Sequence, residues 1–149
     1  MDNTEIIAIL ENIAELLEVK GENVFKSRSY LNVARAIKFM SEEVSDLVVQ
    51  GRVREIPGVG DAIEQKLTEM VTTGKLEFYE KLKAEFPPGI NGLLKIKGIG
   101  PKTAAHLIKE LQINSREELA EAISSGRISS LPHVSKEKFD SILAQIKNG

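Results

Sequence analysis

Apolar residues recur at helical spacing along almost the whole chain, and they nowhere alternate for long enough to suggest a strand. Ile6, Leu10, Ile13 and Leu17 make the first stripe, opened by Asp2 and Glu5 and closed by Gly21. A second helix is predicted from about Val24 to Met40. Phe25, Leu31, Ala34 and Ile37 lie on or near its buried side, and Lys26, Arg28, Arg35 and Lys38 give it a basic side. Ser41 is placed to cap a short third helix holding Val44, Leu47 and Val48, which Gly51 stops. Ile63, Leu67 and Met70 then share a face of a helix that runs to Gly74, and another helix follows from about Leu76 to Phe86. Pro87-Pro88-Gly89 cannot continue it, because paired prolines remove donors and clash with the preceding turn. A boundary is expected there, with one subdomain at 1–86, a linker at 87–89 and a second subdomain at 90–149. Beyond it the pattern predicts a short helix at Ile90 to Leu94 and a longer one at Pro101 to Leu111. A capping box, Ser115-Arg116-Glu117-Glu118, opens a helix to about Ile123 before Gly126, and a last helix carries Phe139, Ile142, Leu143 and Ile146. The predicted fold is all-α.

Two turns interrupt this pattern in the same way. In Ile56-Pro57-Gly58-Val59-Gly60-Asp61 and again in Ile96-Lys97-Gly98-Ile99-Gly100-Pro101-Lys102, a β-branched residue sits between glycines and a helix opens at once. Glycine permits positive φ and lets another backbone come close. A helix start has N–H groups with no partner, which makes it a ready anion site. Pro101 fits such a start, where its missing N–H costs nothing. One such turn is a weak signal and is more often a packing corner; two in a short chain suggest helix-hairpin-helix motifs. Gly58, Val59, Gly60, Gly98, Ile99, Gly100 and Thr103 would then hold a DNA backbone phosphate, with Lys75, Lys97 and Lys102 as flanking cations. Such a contact reads no bases, so the binding it implies is independent of sequence. Leu131-Pro132-His133-Val134-Ser135 reads as a degenerate third copy, with His133 and Ser135 where glycines would be, expected to pack but to bind phosphate poorly.

Composition narrows this only in part. At 149 residues, with 42% hydrophobic and 28% charged, the chain can bury a core of Ile, Leu, Val and Ala. The absence of cysteine excludes disulfides and thiolate metal sites, and fits a reducing, cytoplasmic compartment. The start Met1-Asp2-Asn3-Thr4-Glu5 is not a signal peptide, and no apolar run is long enough to cross a membrane. The net charge of −2 runs against a nucleic-acid binder, whose affinity usually rests on a basic surface. A helical protein-interaction domain, with the hairpins as mere packing turns, is the competing reading.

The order of motifs carries a resemblance. Asn23-Val24-Phe25-Lys26-Ser27-Arg28-Ser29-Tyr30-Leu31-Asn32-Val33-Ala34-Arg35-Ala36-Ile37, then Ile56-Pro57-Gly58-Val59-Gly60, Thr73-Gly74-Lys75-Leu76, Pro87-Pro88-Gly89 and Gly98-Ile99-Gly100-Pro101-Lys102, resembles the amino-terminal half of a family X DNA polymerase. The pattern is that of the bacterial and archaeal members, relatives of polymerase beta, and it runs from about Ile6 to Ile146. The resemblance implies an "8 kDa" domain followed by a fingers subdomain, acting as a monomer on gapped or nicked DNA or on 5′-phosphate ends in DNA repair. It implies no required cofactor, but a monovalent cation, Na⁺ or K⁺, at each hairpin. The carbonyls would be those of Arg54, Ile56 and Val59 in the first and Leu94, Ile96 and Ile99 in the second. Some members are also 5′-deoxyribose-phosphate lyases. By position Lys66 matches their Schiff-base nucleophile, Tyr30 its helper, and Lys26 and Arg54 the 5′-phosphate contacts. Asp61, Ala62, Phe78 and Phe25 depart from the lyase pattern, which predicts weak or absent lyase activity. The polymerase family's catalytic aspartate cluster has no counterpart among Asp2, Asp46, Asp61 and Asp140, so no nucleotide transfer is expected from this stretch.

Overall fold

The computed structural model describes residues 1–132 and 134–148, which form nine α-helices, a single 3-10 turn and no strand. The chain divides into two compact units, Met1–Lys83 and Ala84–Gly149. Each is a small bundle built around a glycine hairpin.

In the first unit, α1 (Asn3–Lys20) packs along α2 (Val24–Lys38). Asp2 opens α1 by accepting the Glu5 N–H at 2.9 Å, and Gly21 closes it in the left-handed region at φ +86°. Ile6, Leu10, Ile13 and Leu17 are all buried, as their spacing requires. The inner face of α2 is Ser27, Tyr30, Val33, Ala34 and Ile37. Phe25 does not join it and is 71% exposed. The Asn23 side chain caps the helix at the Phe25 N–H, 2.8 Å away, which puts Phe25 in the first turn. It therefore precedes Tyr30 by more than one turn and projects from another side.

The third helix, α3 (Val44–Val49), is not capped by Ser41. Asn3 does that work from the start of α1. Its Oδ1 accepts the Val44 N–H at 2.8 Å, its Nδ2 donates to the Glu42 carbonyl at 2.9 Å, and its own N–H reaches the Glu43 carboxylate at 3.1 Å. A cap from a distant element satisfies the same orphan donor as a local one, and it also ties two elements together. Gly51, at φ +68°, stops α3, and the Arg52 N–H returns to the Leu47 carbonyl at 2.8 Å. The 3-10 turn Val53–Glu55 leads to the first hairpin and α4 (Asp61–Thr73). α4 buries Ile63, Leu67 and Met70 and ends at Gly74. α5 (Glu77–Ala84) is shorter at both ends than its sequence pattern suggests, and Tyr79 ties it to α1 by donating its hydroxyl to Asn12 at 2.6 Å.

The second unit holds α6 (Ile90–Leu94), α7 (Pro101–Lys109), α8 (Arg116–Ser124) and α9 (Lys136–Asn148). Ile90, Leu93, Ile96, Ala104, Leu107, Ile113, Leu119 and Ile142 are among its buried residues. Gly89 is needed for a close approach: a Cβ there would stand 2.6 Å from the Asn114 carbonyl oxygen. α7 stops before Leu111 because Gln112 turns to φ +52° and the Ile113 N–H bonds the Leu107 carbonyl at 2.8 Å. The Ser115 box forms with a shift. Ser115 accepts the Glu118 N–H at 3.1 Å, while the Glu118 carboxylate reaches back to the Asn114 N–H at 3.2 Å.

The long-range cap makes a prediction. Asn3→Ala should lower unfolding free energy by about 1 kcal/mol or more, and Ser41→Ala should stay within about 0.5 kcal/mol of the natural chain. Urea unfolding of both variants checks it, and a larger loss at Ser41 would contradict the assignment of the cap.

Candidate nucleic-acid interface

The three hairpins share one backbone scheme. The N–H of Val59 bonds the Ile56 carbonyl, that of Ile99 bonds Ile96 and that of Val134 bonds Leu131, each at 3.1 Å. The following helix then opens with Glu64 N–H to Gly60, Ala104 N–H to Gly100 and Phe139 N–H to Ser135, each at 2.9 Å. Ile56, Ile96 and Leu131 anchor the turns in the two cores. Positive φ is confined to the first glycine of each pair, +89° at Gly58 and +102° at Gly98. The matching position of the third turn, His133, lies outside the described residues.

What differs is the residue that opens the helix. Gly60 and Gly100 stand at the N-cap positions of α4 and α7, and neither helix start has a side-chain cap. Their first-turn N–H groups therefore have no intrahelical acceptor and no cap to satisfy them. At the third hairpin Ser135 Oγ accepts the Lys138 N–H at 3.2 Å, so one donor is already occupied. A helix start without a cap can accept an anion from outside; a capped one has less to offer.

Charge separates the first two hairpins. At the first, Arg54 is paired with Asp61 and also holds Glu64 through Nε at 3.0 Å. Arg52, a residue the sequence pattern did not single out, holds Glu55 at 2.8 Å and Glu42 at 3.5 Å. Hydrogen bonding to Arg52 lowers the Glu55 carboxyl below its usual range and raises the guanidinium further. The acids around this hairpin are thus matched by arginines, and Arg54 is engaged inside the protein. At the second hairpin, neither Lys97 nor Lys102 has an ion-pair partner among the described residues, and the same is true of Lys75. Lys26, in the first turn of α2, lies 3.9 Å from Glu22.

Two of the lyase candidates, Lys66 and Tyr30, share Phe78 as a neighbour. Lys66 Nζ lies over the Phe78 ring, 4.7 Å from its centroid, and Phe78 stacks on Tyr30 at 6.3 Å and 14°. Tyr30 is 9% exposed, and burial raises its phenol above the ordinary value, so it stays protonated. Among the described residues no group of His, Cys, Asp or Glu could hold a metal ion. No helix of the described residues is long and apolar enough to cross a membrane.

A further residue outside the sequence pattern is Gln145 on α9. It bonds both the N–H and the carbonyl of Lys97 in the second hairpin, at 2.8 and 2.9 Å. No local signal marks it, since its partner lies far off in sequence.

Two families match the chain. The description "Helix-hairpin-helix domain" covers residues 1–76, and "SAM-like Helix-hairpin-helix tandem" covers 90–148. Over 143 residues the chain is 32% identical to DNA polymerase/3'-5' exonuclease PolX of Bacillus subtilis (strain 168), a match that covers 96% of this chain and 25% of that protein. It is 27% identical over 104 residues to the Holliday junction branch migration complex subunit RuvA of Polaromonas sp. (strain JS666 / ATCC BAA-500), covering 68% of this chain and 53% of that one. The chain therefore spans about a quarter of the first relative's length and about half of the second's. With a hairpin scheme repeated in both units, and both units matched, the chain belongs to the helix-hairpin-helix family and has the build of the N-terminal region of a family X DNA polymerase.

Proposed function

We propose that the chain binds DNA without regard to sequence, gripping backbone phosphates through the first two hairpins, as the DNA-binding part of a family X repair polymerase. The observation that carries this is the pair of helix starts on Gly60 and Gly100, which keep donors that Ser135 partly occupies at the third. Gapped or nicked DNA is the favoured form, since two hairpins in separate units can hold separate strands of an interrupted duplex. The net charge of −2 is less of an obstacle than it looks. The donors are uncharged N–H groups, and the acids beside the first hairpin are matched by Arg52 and Arg54. A monovalent cation would suit the carbonyls of Arg54, Ile56 and Val59, and those of Leu94, Ile96 and Ile99. The Ile56 and Ile96 carbonyls accept one turn bond each, which leaves a lone pair on each oxygen. Such an ion would add positive charge beside the phosphate; the holding of the backbone rests on the hairpin itself.

The hairpins should contribute unequally. Lys102 is unpaired among the described residues, whereas Arg54 must leave Asp61 and Glu64 to meet a phosphate. Titration of duplex, nicked and short-gap DNA at two salt concentrations should show binding that weakens with salt. Lys102→Ala should flatten the slope of log K against log salt by about 0.9, the share of one phosphate contact, and Arg54→Ala by less. No binding at low salt would favour the protein-interaction reading, and a larger change at Arg54 would contradict the charge argument.

A second reading, 5′-deoxyribose-phosphate lyase chemistry, is supported by the cluster of Lys66, Phe78 and Tyr30. The Lys66 amine would attack the sugar aldehyde and form a Schiff base with loss of water. The Phe78 ring lies against the Lys66 amine that would make the attack and covers one side of it. Asp61 and Glu64 also hold Arg54 away from a 5′-phosphate. Borohydride trapping on DNA with a 5′-deoxyribose phosphate should therefore be slow and incomplete, and Lys66→Ala should abolish what there is. Rapid, complete trapping would overturn the weak-activity prediction; trapping unchanged in Lys66→Ala would remove Lys66 as the nucleophile.

A further inference from the structure

We propose that Gln145 is a positioning residue for the second hairpin, and that it takes the place of the proline which the other two hairpins carry at the same point. The proposal rests on the DNA-binding reading above. In the shared scheme Lys97 stands where the first hairpin has Pro57 and the third has Pro132. A proline there fixes φ through its ring and has no N–H to satisfy. Lys97 does neither: its φ is free and its N–H needs an acceptor.

The Gln145 carboxamide answers both needs. Oε1 accepts the Lys97 N–H at 2.8 Å, and Nε2 donates to the Lys97 carbonyl at 2.9 Å. Only one orientation of the amide makes both bonds, because its flip would set donor against donor. Two bonds to one residue restrain the peptides on both sides of it. The clamp is itself held, since Arg116 at the start of α8 donates to the Gln145 main-chain carbonyl. One turn earlier on α9, Ile142 backs the turn: a Cβ at Gly98 would sit 3.5 Å from its Cγ1 and Cδ1. α9 thus supports the hairpin by apolar contact at Gly98 and by hydrogen bonds at Lys97.

The exchange of proline for a clamped lysine has a consequence for binding. It sets a cation beside the glycine that faces the phosphate, and the stiffness lost with the proline is supplied from α9. The clamp also takes the Lys97 N–H, so the donors left for a phosphate are those of Gly98, Gly100, Lys102 and Thr103. Gln145 itself meets no DNA; it acts through the turn.

Four proteins test this: the natural chain, Gln145→Ala, Lys97→Pro and the double variant. Gln145→Ala should speed exchange of the Lys97 amide hydrogen by about tenfold or more and weaken gapped-DNA binding about three- to tenfold. Lys97→Pro restores the ring and removes the N–H, so Gln145→Ala should then weaken binding by less than about twofold. Equal losses with lysine and with proline would mean a general structural role and would overturn the proposal, as would unchanged exchange at Lys97. Gln145→Met, similar in length but without the amide, should repeat the loss if Lys97→Pro does not fold; natural affinity in Gln145→Met would overturn the proposal as well. The exchange measurement needs no DNA. A natural chain that binds no DNA, with Lys97 still released by Gln145→Ala, would reduce Gln145 to a turn clamp and sink the binding reading itself.

Discussion

A helix that begins on glycine has first-turn N–H groups and no side chain to satisfy them. At Gly60 and Gly100 that condition is kept, and much of each unit serves to keep it. The turn bond from Val59 to Ile56, or from Ile99 to Ile96, closes the loop tightly. Positive φ at Gly58 and Gly98 then sends the chain into the helix start. Buried Ile56 and Ile96 fix each loop to its core, and Val33 of α2 and Ile142 of α9 stand behind the two glycines. Without that backing, the donors would be those of a frayed helix end and would present no fixed geometry to a phosphate.

Local pairing of charge, more than net charge, shapes the surface around these turns. The first hairpin has many charged neighbours, yet Arg52 and Arg54 spend theirs on Glu42, Glu55, Asp61 and Glu64. Exposed pairs of this kind contribute little to stability, so they are readily exchanged for a phosphate, but each exchange leaves a carboxylate behind. The second hairpin has fewer charges, and its lysines are unpaired among the described residues. The two sites share a backbone and differ in electrostatics.

The sequence made the helices and both glycine turns legible, because periodicity and glycine pairs are local signals. Ile6, Leu10, Ile13 and Leu17, or Ile63, Leu67 and Met70, are inside because their spacing leaves no other choice. The third hairpin was visible too, since Leu131, Pro132 and Val134 keep the apolar frame after the glycines are gone. What escaped was the part held by distant partners. Asn3 caps α3 in place of Ser41, Phe25 turns outward once Asn23 sets the helix start, and Gln145 reaches Lys97 across the second unit. Arg52 escaped for another reason. It is an ordinary surface arginine until the fold brings Glu42 beside it.

Amide chemical-shift mapping with short-gap DNA is the direct test of phosphate binding at the helix starts on Gly60 and Gly100. Shifts centred on residues 58–62 and 98–103 are expected, with the N–H groups of Ser135 and Lys138 little changed. Shifts spread over other surfaces with both glycine turns unmoved, or shifts largest at the third hairpin, would contradict it.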